Sequence, residues 1–221
     1  MNTIKYTQSD SKVEVKGFEA RHYDLMINMI SMGSYSSFIR HVVKGMNIQP
    51  KDKILDLGCG SGRNICLMTK YLSDQGKVLG LDIGSEMLEQ AQTRCEKYSN
   101  VDFRNLRIDD VLPYENEFDK VFISFVLHGF VQKNRLQIIE NARRALHPGG
   151  EFIILDYNEF DLQQASLLAR FAFKVECPLA TDFISRDLKD ILREQGFDEF
   201  KTITFYKGYV RLLIARKAIA K

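Results

Sequence analysis

The stretch Ile54–Asn64, ILDLGCGSGRN, concentrates residue types that bind a nucleotide. Gly58, Gly60 and Gly62 stand at alternate positions directly after branched apolar residues. A glycine accepts a positive φ and lets a ligand approach the backbone closely. The dinucleotide fingerprint is G-x-G-x-x-G; here the third glycine comes one residue early. Asp56 lies two residues before the first glycine, where a carboxylate would repel a pyrophosphate and attract a cation. Asp82 ends a second apolar run, VLGLD, at the place where a carboxylate accepts ribose hydroxyls. Asp82 alone also suits a nicotinamide dinucleotide. Together, the two acids and the shortened turn favour a nucleoside that carries an ammonium group and a positive sulfur.

Other side chains offer chemistry with less definition. His128, in SFVLHGF, follows a strong apolar run and is a candidate base or hydrogen-bond partner; the alternative is that it only fixes its loop. The cysteines are Cys59, Cys66, Cys95 and Cys177, with no C-x-x-C pair and no zinc-ligand spacing. They read as reduced thiols, and no metal site is expected. Cys59, inside the glycine turn, reads as a small residue that fits there.

For these groups to converge, strands must carry them to one edge. KDKILDL reads as a buried strand and NICLMTKYLSDQG as a helix closed by Gly76. KVLGLDI is a second strand, and SEMLEQAQTRCEKYS a helix that Ser85 would cap. VDFRNL and EFDKVFISFVL are further strands. QKNRLQIIENARRAL is a helix, HPGG the turn that ends it, and EFIILDY the next strand. Strands alternating with helices imply a parallel sheet covered on both faces. FKTITFY and YVRLLIARK, joined at Lys207-Gly208, read as a hairpin, an antiparallel pair that closes the sheet. Residues 1 to about 17 form a polar arm, and the apolar spacing from Ala20 to Met46 predicts two helices broken at Gly33-Ser34.

The chain has 221 residues, 45% hydrophobic and 27% charged, enough for one sizeable core. Lys+Arg at 31 against Asp+Glu at 29 leaves +2, which gives no support for a phosphate-backbone binder. No apolar signal-peptide core or membrane-length run is present. A cytoplasmic protein is expected, with peripheral membrane contact left open. Nothing sets an oligomeric state.

ILDLGCGSGRN, VLGLDIGSEML, FDKVFISFVLH and LHPGGEFIILD, in this order and spacing, resemble the successive motifs of class I S-adenosylmethionine (AdoMet)-dependent methyltransferases. The resemblance covers roughly Tyr23 to Lys217. It implies an α/β fold: a Rossmann-like, doubly wound, seven-stranded sheet with the last strand antiparallel, under an N-terminal helical cover. A single domain 1–221 is expected, divided into arm and cover (1–50), AdoMet-binding core (51–157), an insertion or lid (158–184), and a final helix with hairpin (185–221). The segment ARHYDLMINMISMGSYSSFIRHVV resembles the start of ubiquinone/menaquinone C-methyltransferases, and GYVRLLIARK their last strand in looser form. That implies methylation of a ring carbon on a lipophilic aromatic.

Residue by residue, the resemblance implies a pocket. Asp56 and the backbone of Gly58 and Gly60 hold the methionine end of AdoMet, with Tyr23 touching the same end. Asp82 takes the ribose hydroxyls, and Ile83 and Met87 flank the adenine. An acid of RIDDVLPY meets the adenine amino group; Asp109 is preferred to Asp110, although the spacing departs from the family's G-D-A-x-x-L-P-F. Ser124 and Phe125 line the methyl site. Asp119 reads as a strand-start residue, and Asp156, ending ILD, is positioned for the site.

The expected acceptor is a small molecule, partly apolar or aromatic. A nucleic-acid or protein methyltransferase is disfavoured by near-neutral charge and the lack of an appended recognition segment. A degenerate AdoMet-fold scaffold is disfavoured by the intact Asp56, glycines and Asp82. In residues 159–184, Leu162, Ala165, Ala169 and Phe173 recur at helical spacing, widened by Leu168 and Phe171. This segment is either a lid over the acceptor or a helix packed on the core.

Overall fold

The computed structural model describes residues 35–175 and 178–219. Its centre is strand β1 (Lys53–Leu57), in which Ile54 to Leu57 are all buried. An entirely buried strand needs cover on both faces, and the alternating sequence supplies it. Around β1 stand β2 (Lys77–Asp82), β3 (Val101–Asn105), β4 (Phe118–Ser124), β5 (Leu146–Tyr157), β6 (Phe197–Phe205) and β7 (Val210–Lys217). The sheet order is β3-β2-β1-β4-β5-β7-β6. The pairs from β3 to β5 are parallel, whereas β7 runs antiparallel to both β5 and β6. The hairpin therefore folds its second strand inward, leaving β6 at the edge, and the seven strands with the last antiparallel match the expectation.

Helices α1 (Tyr35–Gly45), α2 (Arg63–Met68) and α3 (Ser85–Cys95) cover one face, with Ile39, Val42, Ile65 and Leu88 packed against Ile54, Phe122 and Ile153. On the other face lie α4 (Gln132–Ala145), α6 (Pro178–Ile184) and α7 (Leu188–Glu194), between which runs α5 (Leu167–Val175). There Ile138, Ile139, Phe183 and Leu192 pack on Leu55, Val121, Ile123 and Phe152. Because strand side chains alternate, Asp56 projects to the same face as Ile54. From β1 the sheet grows to β2 and β3 on one side and to β4 and β5 on the other. The carboxyl ends of β1 and β4 thus flank the switch point where such sheets bind ligands.

Local detail departs from the sequence reading in several places. Of the two helices expected over 20–46, α1 is described; Tyr23 and the first helix lie outside the described residues. The helix after the glycine turn is short, ending in a 3-10 turn at Thr69–Tyr71, and Gly76 sits in a separate turn. Ser85 does not cap α3: Gly84 occupies the cap position, without a side-chain bond. HPGG is not a loop but the first part of β5, where Gly149 at φ 77 accompanies a register shift against β4. Cys66 and Cys95 are joined in a disulfide, with Cα atoms 6.0 Å apart, because α2 and α3 pack side by side. The reduced-thiol argument for the cytoplasm therefore lapses for this pair. Asp119 does serve at a strand start, accepting the Lys53 amide at 2.8 Å.

The 159–184 segment divides. Helix α6 is core, with Leu179, Ala180, Phe183 and Ile184 buried. Helix α5 rests on the body through Phe173, which meets Tyr157 and Phe160 at centroid distances of 4.8 and 5.4 Å. Phe171 does not widen the stripe: it is 66% exposed, and Leu167 82%. Among the described residues, no helix is long and apolar enough to cross a membrane.

Candidate functional site

The glycine turn leaves β1 with three left-handed residues: Gly58 at φ 77, Gly60 at φ 53 and Gly62 at φ 73. These φ values are costly for any residue with a side chain. The turn is anchored by the amides of Gly58 and Cys59, both donating to the Leu81 carbonyl at 2.8 and 2.9 Å. A Cβ on Gly58 would lie 2.9 Å from Val126 Cγ2, whereas one on Gly60 would meet nothing within 4 Å. Gly58→Ala should therefore destabilise the protein by about 2 kcal/mol, from left-handed strain and overpacking. Urea unfolding checks this; an unchanged midpoint would show that the turn tolerates a side chain.

Asp56 is the most unusual group in the molecule. It is buried at 1% exposure, and neither carboxylate oxygen has a hydrogen-bond partner. Burial, with the nearby Asp82 charge adding to it, pushes its pKa up to about 8. A buried polar group without a partner costs free energy, and this one stands at the switch point of the sheet. Asn64 Oδ1, at the start of α2, is a second buried acceptor without a partner; sequence reasoning passed over it, although it stands beside the turn. Burial also pushes the Cys59 thiol well above its ordinary range, so it is no thiolate nucleophile.

Asp82, at the end of β2, accepts the Gly60 amide through Oδ2 and the Gly84 amide through Oδ1, both at 2.8 Å. It ties the glycine turn to the start of α3. Ile83 is half-buried, its carbonyl held by Asn105 Nδ2 at 2.9 Å, and Met87 is buried. Asp109 accepts from Arg107 at 3.1 Å and Asn134 at 2.9 Å, whereas Asp110 is exposed.

At the end of β4, Ser124 is half-buried, and Phe125 takes φ 52 while its amide donates to Leu155 at 2.8 Å. A left-handed phenylalanine is rare and marks a place where the chain must turn sharply. The next turn carries His128, which is buried. Its Nδ1 lies 2.7 Å from Asp156 Oδ1, and its amide donates to Asp156 Oδ2 at 3.2 Å. Asp156 is itself buried at 1% exposure, so His128 and Asp156 form an oriented pair at the carboxyl edge. Tyr157 packs on the imidazole at 4.9 Å and on Phe125 at 6.0 Å. With Phe38 and Phe173, these rings make an aromatic wall that runs across the mouth of the sheet.

Arg135, unremarked in the sequence, positions this wall. Fully buried, it donates to the carbonyls of Leu127, His128 and Leu179 and to Asp182. It thereby fastens the His128 turn to α6. Breaking a buried pair by removing one partner costs about 3–5 kcal/mol. Arg135→Leu should lose about that much, less the share of Asp182 that Arg186 retains. A chemical-denaturation shift below about 1 kcal/mol, the net worth of an ordinary hydrogen bond, would show that the clamp is dispensable.

A glycine turn at the switch point, a buried carboxylate just before it and an acid at the end of β2 fit an AdoMet-dependent methyltransferase of class I. Residues 48–198 match the methyltransferase domain family, and the chain belongs to that family. It is 26% identical to demethylmenaquinone methyltransferase of Staphylococcus haemolyticus, over 88% of this chain and 89% of that protein. It is 25% identical to the ubiquinone/menaquinone biosynthesis C-methyltransferase UbiE of Hydrogenovibrio crunogenus, over 87% and 84%. The fold is shared with a SAM-dependent methyltransferase from Aquifex aeolicus, with TM-score 0.62 and 20% identity over 80% of this chain and 88% of that one.

Proposed function

We propose that this enzyme methylates a ring carbon of a lipophilic aromatic in its reduced, hydroxylated form, a quinol, using His128 as the proton acceptor. AdoMet, when bound, supplies a methyl group already activated by a sulfonium. The chain's own residues then bind, align and remove a proton. Asp56 would neutralise the cationic end of the cofactor, with the Gly58 and Gly60 backbone and Asn64 alongside. Asp82 would take the ribose hydroxyls, Ile83 and Met87 would flank the adenine, and Asp109 would meet its amino group. Ser124 and Phe125 would border the reacting methyl.

The observation that carries the acceptor reading is the His128–Asp156 pair set in an aromatic wall. An aromatic ring carbon becomes a competent nucleophile when a ring hydroxyl gives up its proton, and carbon methylation then releases the ring hydrogen as a proton. One methyl is gained and one proton lost. Asp156 orients the imidazole and stabilises its protonated form. The rings of Phe38, Phe125, Tyr157 and Phe173 offer apolar walls that keep water from the reaction. The quinone methyltransferases among the relatives support the same acceptor class.

The test is incubation with labelled AdoMet and a 2-prenyl-1,4-naphthoquinol, with the oxidised quinone as control. Methyl incorporation into the reduced ring alone is expected, because the quinone has no hydroxyl to deprotonate. Incorporation into neither would remove the quinol reading.

A further inference from the structure

Helix α5 has two opposed apolar faces. Phe173 turns inward onto Tyr157 and Phe160, whereas Leu167 and Phe171, one helical turn apart, stand exposed. At 3.6 residues per turn, Phe171 lies about 200° around the helix from Phe173. Beside α5 is the tip of the β6–β7 hairpin. There the Ser166 amide donates to the Tyr209 hydroxyl at 2.9 Å, and the Phe160 and Tyr209 rings lie 4.9 Å apart. The tip exposes Tyr206, which packs on Phe38 at 5.0 Å. Leu167, Phe171 and Tyr206 are three of the six large apolar side chains that stand exposed among the described residues. All three adjoin the aromatic wall at the carboxyl edge, on its outer side. Two cations, Arg170 and Lys207, are exposed on the same two elements. Of the carboxylates leading into α5, Glu159 is held by the buried Arg211, and Asp161 accepts from the Gln163 amide and Gln164.

We infer that α5 and the hairpin tip form a docking surface for an anionic lipid bilayer. A helix lies in a membrane interface when apolar side chains on one face enter the acyl boundary and basic ones beside them meet anionic headgroups. Leu167 and Phe171 supply the first part, Arg170 and Lys207 the second, and Tyr206 is suited to headgroup depth. The inference deepens the quinol reading and takes its purpose from it: a lipophilic acceptor resides in the bilayer, and the inner face of α5 carries Phe173 of the acceptor wall. A second copy of the chain fits this face less well. Three exposed side chains are far from the roughly 1,200 Å² that stable protein interfaces bury, and pairing the face with itself would bring like charges together.

The test is co-sedimentation of the full chain with vesicles, without quinol. One set is phosphatidylcholine alone; the other is phosphatidylcholine and phosphatidylglycerol in equal parts. Binding to the mixed vesicles is expected, at least tenfold tighter than to the neutral ones and weakened by added salt. Leu167→Glu/Phe171→Glu should lose at least tenfold in partitioning, while its affinity for S-adenosylhomocysteine stays within twofold of the parent. Leu167→Ser/Phe171→Ser repeats the test without added negative charge and should also lose binding. Arg170→Ala/Lys207→Ala should remove most of the preference for the anionic set. Equal binding by the parent and both apolar variants would overturn the inference, because another surface would then meet the lipid. No binding by the parent would also overturn it; a parent dimer that the serine variant breaks would then assign the face to a second copy. Since the vesicles hold no quinol, either failure leaves the quinol reading standing, and failed methyl transfer would leave the docking result standing.

Discussion

His128→Ala is expected to lower kcat by about a hundredfold to ten-thousandfold, the range that a positioned general base contributes. Affinity for S-adenosylhomocysteine should change by no more than a few fold if the imidazole serves the acceptor, as proposed. The partner variant separates positioning from structure. Asp156→Asn keeps the size of the side chain but removes the charge that holds Nδ1 and stabilises the imidazolium. It should lower kcat, because the imidazole loses the charged acceptor that orients it. Stopped-flow or discontinuous assay with saturating quinol and AdoMet measures both. A His128→Ala rate equal to that of the parent would reduce His128 to a residue that fixes its loop.

Asp56→Asn should weaken S-adenosylhomocysteine by roughly tenfold to a hundredfold, the value of one hydrogen bond to a charged group, without loosening the fold. In the ligand-free protein the Asp56 pKa stands at about 8 instead of 3.8, so the folded chain keeps a proton that the unfolded chain has lost between those values. The stability this contributes is full below about pH 4 and is lost as pH rises through 8. Asparagine carries no such proton, so the variant's melting temperature should lack this slope and exceed the parent's at pH 8. Binding runs the other way. An ammonium favours the carboxylate, and its arrival expels the proton. Parent affinity should therefore rise roughly tenfold per pH unit up to 8, then level as the ligand's own amino group, near about 7.7–8.0, deprotonates. Calorimetry in buffers of different ionisation enthalpy reads the released proton directly. Binding that is flat in pH from 6 to 8 would mean that Asp56 does not meet the cation.

The parts of this site that were legible in the sequence are those fixed by backbone rules. Gly58, Gly60 and Gly62 announced a left-handed turn because no other residue accepts such φ values cheaply, and the apolar runs on either side announced buried strands. Asp56 was legible as an acid near the carboxyl end of a buried strand, although its isolation was not, since burial belongs to the packed sheet. A parallel sheet with a terminal antiparallel hairpin followed from alternation, and the family resemblance implied seven strands, whereas the strand order became visible only in the structure. Illegible were the contacts made across the sequence. Asp156 is 28 residues from His128, and Arg135 is 47 from Asp182. Each pair depends on which helix ends beside which strand. Asp82 was read for its ligand alone, whereas it also ties Gly60 to Gly84. Lid and core were inseparable in residues 159–184 because one apolar stripe serves both; only packing divided α6 from α5.

The most direct test of the account is where the methyl group lands. The enzyme is incubated with AdoMet carrying a trideuterated methyl and with a 2-prenyl-1,4-naphthoquinol, and the product is analysed by NMR and mass spectrometry. The account predicts the label on the ring carbon, with loss of the ring hydrogen and both hydroxyls retained. A labelled methyl ether, with the ring hydrogen still in place, would contradict it.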